Sequence, residues 1–132
     1  MSAITFVWVA VGGALGSAAR YGSSLLVAGW TGETFPWGTL LINVVGSFVI
    51  GFFGMLTGPD GRILVSPDIR QFVMVGICGG FTTFSSFSLQ TLNLMRDGDM
   101  LRAGANVVGS VVLCLIAVWL GAVGAAALNQ SR

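Results

Sequence analysis

Four apolar stretches, each long enough to cross a bilayer, constrain this chain more than any other feature of its sequence. A hydrocarbon core about 30 Å thick needs about 20 apolar residues per helix. The charged residues lie between these stretches or towards their ends, as expected where charged groups avoid hydrocarbon. The sequence therefore predicts an all-α integral membrane protein with one domain over residues 1–132, and with helices over about 3–27, 37–56, 68–95 and 100–128.

Composition supports a membrane location and excludes several classes of function. Only 8% of the 132 residues are charged and 55% are hydrophobic, so a soluble domain of this size would lack the charge to cover its surface. A net charge of +1 gives no argument for nucleic-acid binding. The chain has no histidine, and Cys78 and Cys114 both lie in apolar stretches, which favours packing roles over a disulfide or a zinc site. No basic residue precedes the first apolar stretch, which we interpret as a retained helix and not a cleaved signal peptide.

The arginines give almost no bias for membrane orientation. With four helices, both termini lie on one side, and that side carries Arg62, Arg70 and Arg132. The other side carries Arg96 and Arg102, with Arg20 near the end of the first helix. Since arginine bias normally fixes orientation, we expect insertion in both directions and an antiparallel, dual-topology homodimer. A single orientation set by weak signals is the alternative. The 20 glycines, many at close helical spacing, also favour association through close backbone contact.

The third apolar stretch contains an unusual segment, residues 76–88. Adjacent Gly79 and Gly80 weaken the helix, and five hydroxyl residues follow between positions 82 and 88. A break at membrane depth is tolerated where it faces protein or a polar cavity, and its free carbonyls can coordinate a cation such as Na⁺. In an antiparallel pair, carbonyls of both copies could surround one ion. The alternative is that the hydroxyls bond back to their own helix.

Aromatic rings repeat every three residues beside these hydroxyls. Phe81, Phe84 and Phe87 share one side of the helix, a pattern that is most often core packing. The edge of an aromatic ring is electropositive, so rings facing a narrow passage could hold a small anion. Ser85 and Ser86 would then supply hydrogen-bond donors between the rings.

Other polar residues within the apolar stretches are candidates for the same passage. Asn43 lies deep in the second helix and either bonds a neighbouring helix or donates to a permeating anion. Arg20 either extends to the membrane interface or draws anions towards the protein. Asn106 and Ser110, with Cys114 beyond them, share one face of the fourth helix, as a polar track or a packing seam.

The chemistry that is missing from the helix interiors is equally informative. No helix interior contains Asp or Glu, which proton-coupled carriers generally need within the membrane. No pairing of a nucleophile with a base is visible either, so we expect no enzyme activity. The residues favour passive conduction of a small anion.

The sequence resembles the Fluc (CrcB) family of small fluoride channels over nearly its whole length. The motifs that carry the resemblance are residues 12–16 with Arg20 and Tyr21, residues 38–40 with Asn43 and Gly46, and residues 79–87. The last motif is highly specific, whereas the glycine runs alone are not.

This resemblance implies a fluoride-selective channel of the bacterial inner membrane that exports cytoplasmic fluoride. It implies an antiparallel homodimer with two pores and a central, non-permeating Na⁺ held by main-chain oxygens of Gly79 and Thr82. The implied fluoride pathway comprises Asn43, Phe84, Phe87, Ser85, Ser86, Ser110 and Arg20. Ser86 stands where the family often has threonine, which keeps the hydroxyl and loses a methyl group.

Two other functions compete with the channel. A small dual-topology multidrug carrier that exchanges protons would share the architecture but needs a carboxylate within the membrane. A membrane subunit without transport activity predicts no ion flux from the purified protein.

Overall fold

The computed structural model describes residues 2–131 and confirms four membrane-spanning segments. They are Ala3–Thr31, Trp37–Leu56, Pro67–Arg96 and Met100–Gln130. Within the described residues every regular element is helical. Met1 and Arg132 lie outside the described residues, so the place of Arg132 in the charge balance stays a prediction.

We name the first two spans α1 (Ala3–Thr31) and α2 (Trp37–Leu56) and the last span α5 (Met100–Gln130). The third span consists of α3 and α4. Helix α3 covers residues 67–81, beginning as Pro67–Gln71, continuing as a π-helix over Phe72–Cys78 and ending in the turn Gly79–Phe81. Helix α4 covers Phe84–Arg96. The predicted break near the middle of the third span is therefore confirmed.

Helix α1 is longer than predicted. The prediction ended the helix at Val27, but the helix continues to Thr31. It ends at Gly32, whose φ of 75° is favourable for glycine, and whose N–H donates to the Ala28 carbonyl at 2.9 Å. Helix α5 likewise extends two residues beyond the predicted Leu128.

The third span changes its neighbour at the break. Before it, α3 packs along α1, and after it, α4 packs against α5, while α2 and α5 form the most extensive helix pair. A Cβ atom on Gly16 would collide with the carbonyl of Ile77, so glycine is what allows α1 and α3 to approach. Gly121 allows the same closeness between α5 and the Phe48 carbonyl of α2.

Most of the apolar surface of the chain remains uncovered. In an apolar stretch of 18 residues within each of the four spans, only 11% to 22% of the residues are buried. The buried residues are mostly small, such as Ala103, Ala117 and Ala125, with Ile42 the largest apolar one that is fully covered. A soluble protein hides its large apolar side chains, so this chain needs lipid or further protein around it.

Candidate functional site

The break lies at Thr82 and Thr83, whose backbones are extended. Their φ and ψ angles are −81° and 159° for Thr82, and −153° and 119° for Thr83. Thr83 then caps α4, because its Oγ1 accepts the Ser86 N–H at 3.1 Å. The cap lets a new helix begin in the middle of the span without proline.

Asn43 of α2 holds the break through two hydrogen bonds to one residue. Its Oδ1 accepts the Thr83 N–H at 2.8 Å, and its Nδ2 donates to the Thr83 carbonyl at 3.0 Å. The interhelical bond that the sequence left as one alternative is thus present. Since an amide nitrogen carries two hydrogens, Nδ2 keeps a second N–H for another acceptor.

Arg20 of α1 makes a hydrogen bond to the backbone just before the break. Its Nε donates to the Gly80 carbonyl at 3.1 Å, and the residue is partly buried. In an uninterrupted helix that carbonyl would accept the Phe84 N–H. Arg20 therefore replaces a missing helical bond and does not merely extend to the membrane interface.

The carbonyl oxygens of Gly79 and Thr82 have also lost their helical donors. The Thr83 N–H would reach the Gly79 oxygen in a continuous helix but donates to Asn43. The Ser86 N–H would reach the Thr82 oxygen but donates to the Thr83 hydroxyl. Gly79 is exposed in the single chain, and a Cβ built on it would have no close neighbour. Freed carbonyls of this kind are suitable ligands for an alkali cation.

A cavity of about 330 Å³ lies beside the break. Six predicted site residues line it, namely Asn43, Gly79, Thr82, Phe84, Phe87 and Ser110. Its lining includes no acidic or basic side chain. The free thiols of Cys78 and Cys114 also face it. The fold thus brings together residues from α2, α3, α4 and α5 around one uncharged space.

The two predicted pore phenylalanines differ in their exposure. Phe87 is buried, at 9% exposed, whereas Phe84 is 77% exposed although it lies at the middle of a membrane span. Their ring centroids are 5.4 Å apart, with an angle of 52° between the ring planes. Phe87 therefore packs within the chain, as the core-packing interpretation predicts, whereas most of the Phe84 side chain is exposed on the surface of the chain.

Helix α5 adds a buried polar face. Asn106 and Ser110 are 2% and 6% exposed, and the Ser110 hydroxyl donates to the Asn106 Oδ1 at 3.3 Å. Asn106 Nδ2 donates to the Thr91 hydroxyl of α4 at 2.9 Å. Both of the predicted residues thus lie on one face, and Asn106 links α5 to α4.

Three of the predicted site residues lie outside the cavity lining: Ser85, Ser86 and Arg20. Ser85 is exposed, with its hydroxyl 3.3 Å from Thr83 Oγ1. The alternative that hydroxyls bond back to their own helix is confirmed for Thr82 and Ser88, which donate to the carbonyls of Cys78 and Phe84.

Residues to which the sequence analysis gave no role in the site also lie at the break or near it. Thr83 is both the helix cap and the partner of Asn43, and threonine ahead of a new helix is a recognisable cap signal. Gly46 lies against the Thr82 side chain, so that α2 approaches the break closely. The side-chain oxygen of Gln90 is buried without a hydrogen-bond partner among residues 2–131, and no sequence signal indicated it.

The fold and this site define a multi-pass integral membrane protein with a broken helix beside an uncharged cavity. The profile of the family described as "CrcB-like protein, Camphor Resistance (CrcB)" matches residues 7–122. The chain belongs to this family, as its resemblance indicated.

Several proteins named "Fluoride-specific ion channel FluC" are similar to this chain. The one from Opitutus terrae is 67% identical over 127 residues, covering 96% of each chain. That of Methylocella silvestris is 63% identical, covering 96% of this chain and 97% of the relative. That of Rhodospirillum rubrum is also 63% identical, covering 96% and 98% respectively.

Proposed function

We propose that this protein is a fluoride-selective channel that conducts passively and is not an enzyme. The observation that carries the proposal is the break itself: a phenylalanine pair and neutral hydrogen-bond donors beside a cavity without an acidic or basic side chain. Relatives that share 63–67% identity over 96% of the chain bear the name of such a channel.

The residues at the break suit an anion that holds its hydration water tightly. A selective path must replace that water with hydrogen bonds and electropositive ring edges. Phe84 and Phe87 supply the ring edges, and the second N–H of Asn43 supplies a donor. The hydroxyls of Ser85 and Ser86 extend the path, and Ser110 lines it with its hydroxyl hydrogen donated to Asn106. Because none of these groups is charged, the ion is bound weakly enough to leave.

Arg20 contributes the positive charge of this pathway. Its Nε is committed to the Gly80 carbonyl, but a guanidinium carries five N–H donors, so others remain available. It draws anions towards the path while standing outside the cavity lining, where it does not trap them.

The working unit of the proposal is an antiparallel homodimer with two pores in a lipid bilayer. In support, Phe84 is 77% exposed and the Gly79 backbone is open at mid-span. A polar backbone facing hydrocarbon is strongly unfavourable, and a second copy placed there would cover it. The nearly even division of arginines supports insertion in both directions.

A structural Na⁺ belongs to the same proposal. The Gly79 and Thr82 main-chain oxygens, which have lost their helical donors, would hold it together with those of the second copy. When bound, the ion supplies positive charge that satisfies these oxygens at the dimer centre. The bacterial inner membrane is the proposed location, where the channel exports fluoride that has accumulated in the cytoplasm.

The two competing functions lack a supporting observation. Every acidic residue lies in a loop, a cap or a first helical turn, as Asp68 and Asp99 illustrate, so a proton-exchanging carrier has no carboxylate at the cavity. A subunit without transport activity gives no reason for a broken helix beside a polar cavity.

Fluoride efflux from liposomes that contain the purified protein tests the channel. We expect rapid fluoride release without chloride release, and a loss of at least about tenfold in Phe84→Ile, because isoleucine has no ring edge. The matched control is Phe6→Ile, since Phe6 is similarly exposed at 71% but lies near the beginning of α1, away from the break. Equal fluoride flux in Phe84→Ile and wild type, or no flux from folded dimers, would contradict the proposal.

A further inference from the structure

We infer that Asn43 is a positioning residue for the cation site, and that sodium binding depends on its side chain although that side chain is not a ligand. This inference rests on the proposed function, which supplies the cation. Its basis is the pair of hydrogen bonds between the Asn43 side chain and the backbone of Thr83, at 2.8 Å and 3.0 Å.

The amino-acid sequence alone does not force the helix to break. Residues 79–83 contain no proline, so every backbone N–H needed for a continuous helix is present. The two glycines lower the preference for helix without forbidding it. An external acceptor must therefore compete with the Gly79 carbonyl for the Thr83 N–H, and the Oδ1 of Asn43 is that acceptor.

The same bond also directs the second carbonyl. The Thr83 N–H and the Thr82 carbonyl belong to one peptide group, and none of the described peptide bonds is cis. In a trans peptide the N–H and the C=O point in opposite directions. Because the N–H points at Asn43, the Thr82 oxygen points away from Asn43 and α2. One bond thus frees the Gly79 oxygen and orients the Thr82 oxygen.

The donor half of the side chain strengthens this arrangement. Nδ2 donates to the Thr83 carbonyl at 3.0 Å, so the peptide groups on both sides of Thr83 are fixed by one amide. Gly46, one helical turn further along α2, lets the two backbones approach because it has no side chain to meet Thr82. Without Asn43, the Thr83 N–H is free to return to Gly79, and the helix can close over the site.

The experiment measures thermal unfolding of the purified dimer in detergent, in sodium chloride and in N-methyl-D-glucamine chloride. A ligand that binds only the folded state raises the unfolding temperature, so we expect sodium to raise it by about 5 °C in the wild type. We expect this rise to disappear in Asn43→Ala. In Asn43→Asp, which retains an acceptor for the Thr83 N–H, the rise should persist while fluoride flux falls.

Asn129 provides a matched control. Its amide also makes two bonds to backbone groups, accepting the Arg62 N–H at 2.7 Å and donating to the Met55 carbonyl at 3.1 Å. Asn129→Ala therefore removes the same number of bonds at the end of the bundle. We expect a lower unfolding temperature in both solutions with the sodium-dependent rise unchanged.

The possible failures are distinguishable. If the wild type shows no sodium-dependent rise, the cation site of the proposed function is wrong, and this inference falls with it. If the wild type shows the rise and Asn43→Ala keeps it, the cation site stands and this inference alone is wrong. Loss of the rise in Asn43→Asp would also overturn it. If Asn43→Ala yields no dimer, Asn43→Ser replaces it, because its shorter hydroxyl cannot reach Thr83, and the same loss is expected.

Discussion

The helix ends at the loop between α2 and α3 lie in very different surroundings from the helix ends at the break inside the third span. At the loop, Arg70 donates to the Gly54 carbonyl at 3.2 Å and to the Thr57 hydroxyl at 2.7 Å, and Arg62 covers carbonyls at the end of α5. Any carbonyl at this loop that lacks a donor in the protein can accept a hydrogen bond from water. At the break the side chains of Arg20 and Asn43 take part, and carbonyls remain without helical donors.

A backbone carbonyl without a hydrogen-bond donor therefore has different consequences near water and within the membrane. Near water, an unpaired carbonyl is hydrated at little cost in free energy. Within a membrane, each unsatisfied backbone group costs several kcal/mol, so a break persists only where ligand or protein completes it. The substitutions below compare matched positions in the two regions, or on the two faces of one helix.

The largest effect is expected at the helix contact that supports the break. A Cβ on Gly16 would overlap the Ile77 carbonyl, and backbone atoms cannot move aside cheaply. Gly16→Ala should lower the free energy of unfolding by about 3 kcal/mol or prevent folding. Gly13→Ala is the control, because a Cβ there meets nothing within 4 Å. Equal unfolding temperatures in detergent for the two variants would show that the α1–α3 contact is not close-packed.

A smaller loss is expected where an arginine covers a carbonyl. Arg20→Ala leaves the Gly80 oxygen without a donor at membrane depth, which should cost about 1–3 kcal/mol. Arg62→Ala removes bonds to the carbonyls of Leu128 and Ser131, but these groups are exposed, so the cost should be under about 1 kcal/mol. Both are measured by reversible denaturation in micelles. A larger loss in Arg62→Ala would reverse the comparison.

The two hydroxyl caps of the third span sharpen the comparison further. Thr83 caps α4 at the break, whereas Ser66 caps α3 at the loop, accepting the Ile69 N–H at 3.3 Å. Thr83→Val should cost about 1–2 kcal/mol and Ser66→Ala about 0.5 kcal/mol, since water can replace only the second cap. Denaturation of each variant decides this, and equal losses would mean that water reaches the break.

The sequence predicted the spans because their signal is additive. About 20 consecutive apolar residues mark a span whatever the packing, and the Gly79–Gly80 pair marked the break. The helix ends were less certain, because Gly29 and Gly32 carry the same local signal and only the backbone shows that Gly32 adopts positive φ. The π-helical geometry of Phe72–Cys78 had no local signal.

The sequence indicated part of the cavity lining, but not which residues the hydrogen bonds at the break join. Asn43 and Ser110 are polar residues in apolar surroundings, and Phe84 and Phe87 belong to the repeat beside the hydroxyls; all four line one cavity. The bond from Asn43 to Thr83 joins residues 40 positions apart, and no periodicity specifies such a pair. The position of Arg20 over the Gly80 carbonyl likewise depends on how α1 crosses α3, which only tertiary packing determines.

The smallest effect is expected at the hairpin between α4 and α5. This hairpin is the aqueous extreme in the comparison of helix ends near water with helix ends within the membrane. Asp99 accepts hydrogen bonds from the Arg102 side chain at 2.7 Å and from its backbone N–H at 3.1 Å, and these bonds hold the pKa of Asp99 below its ordinary value of 3.8. A lowered pKa in the folded state adds stability above pH 3.8, and that stability is lost as the pH falls through the folded value. The unfolding temperature of wild type should therefore exceed that of Asp99→Asn slightly near neutral pH, with the difference vanishing on acidification. A difference that persists in acid would mean that the carboxylate charge is not its source, since asparagine still offers an acceptor to the Arg102 N–H.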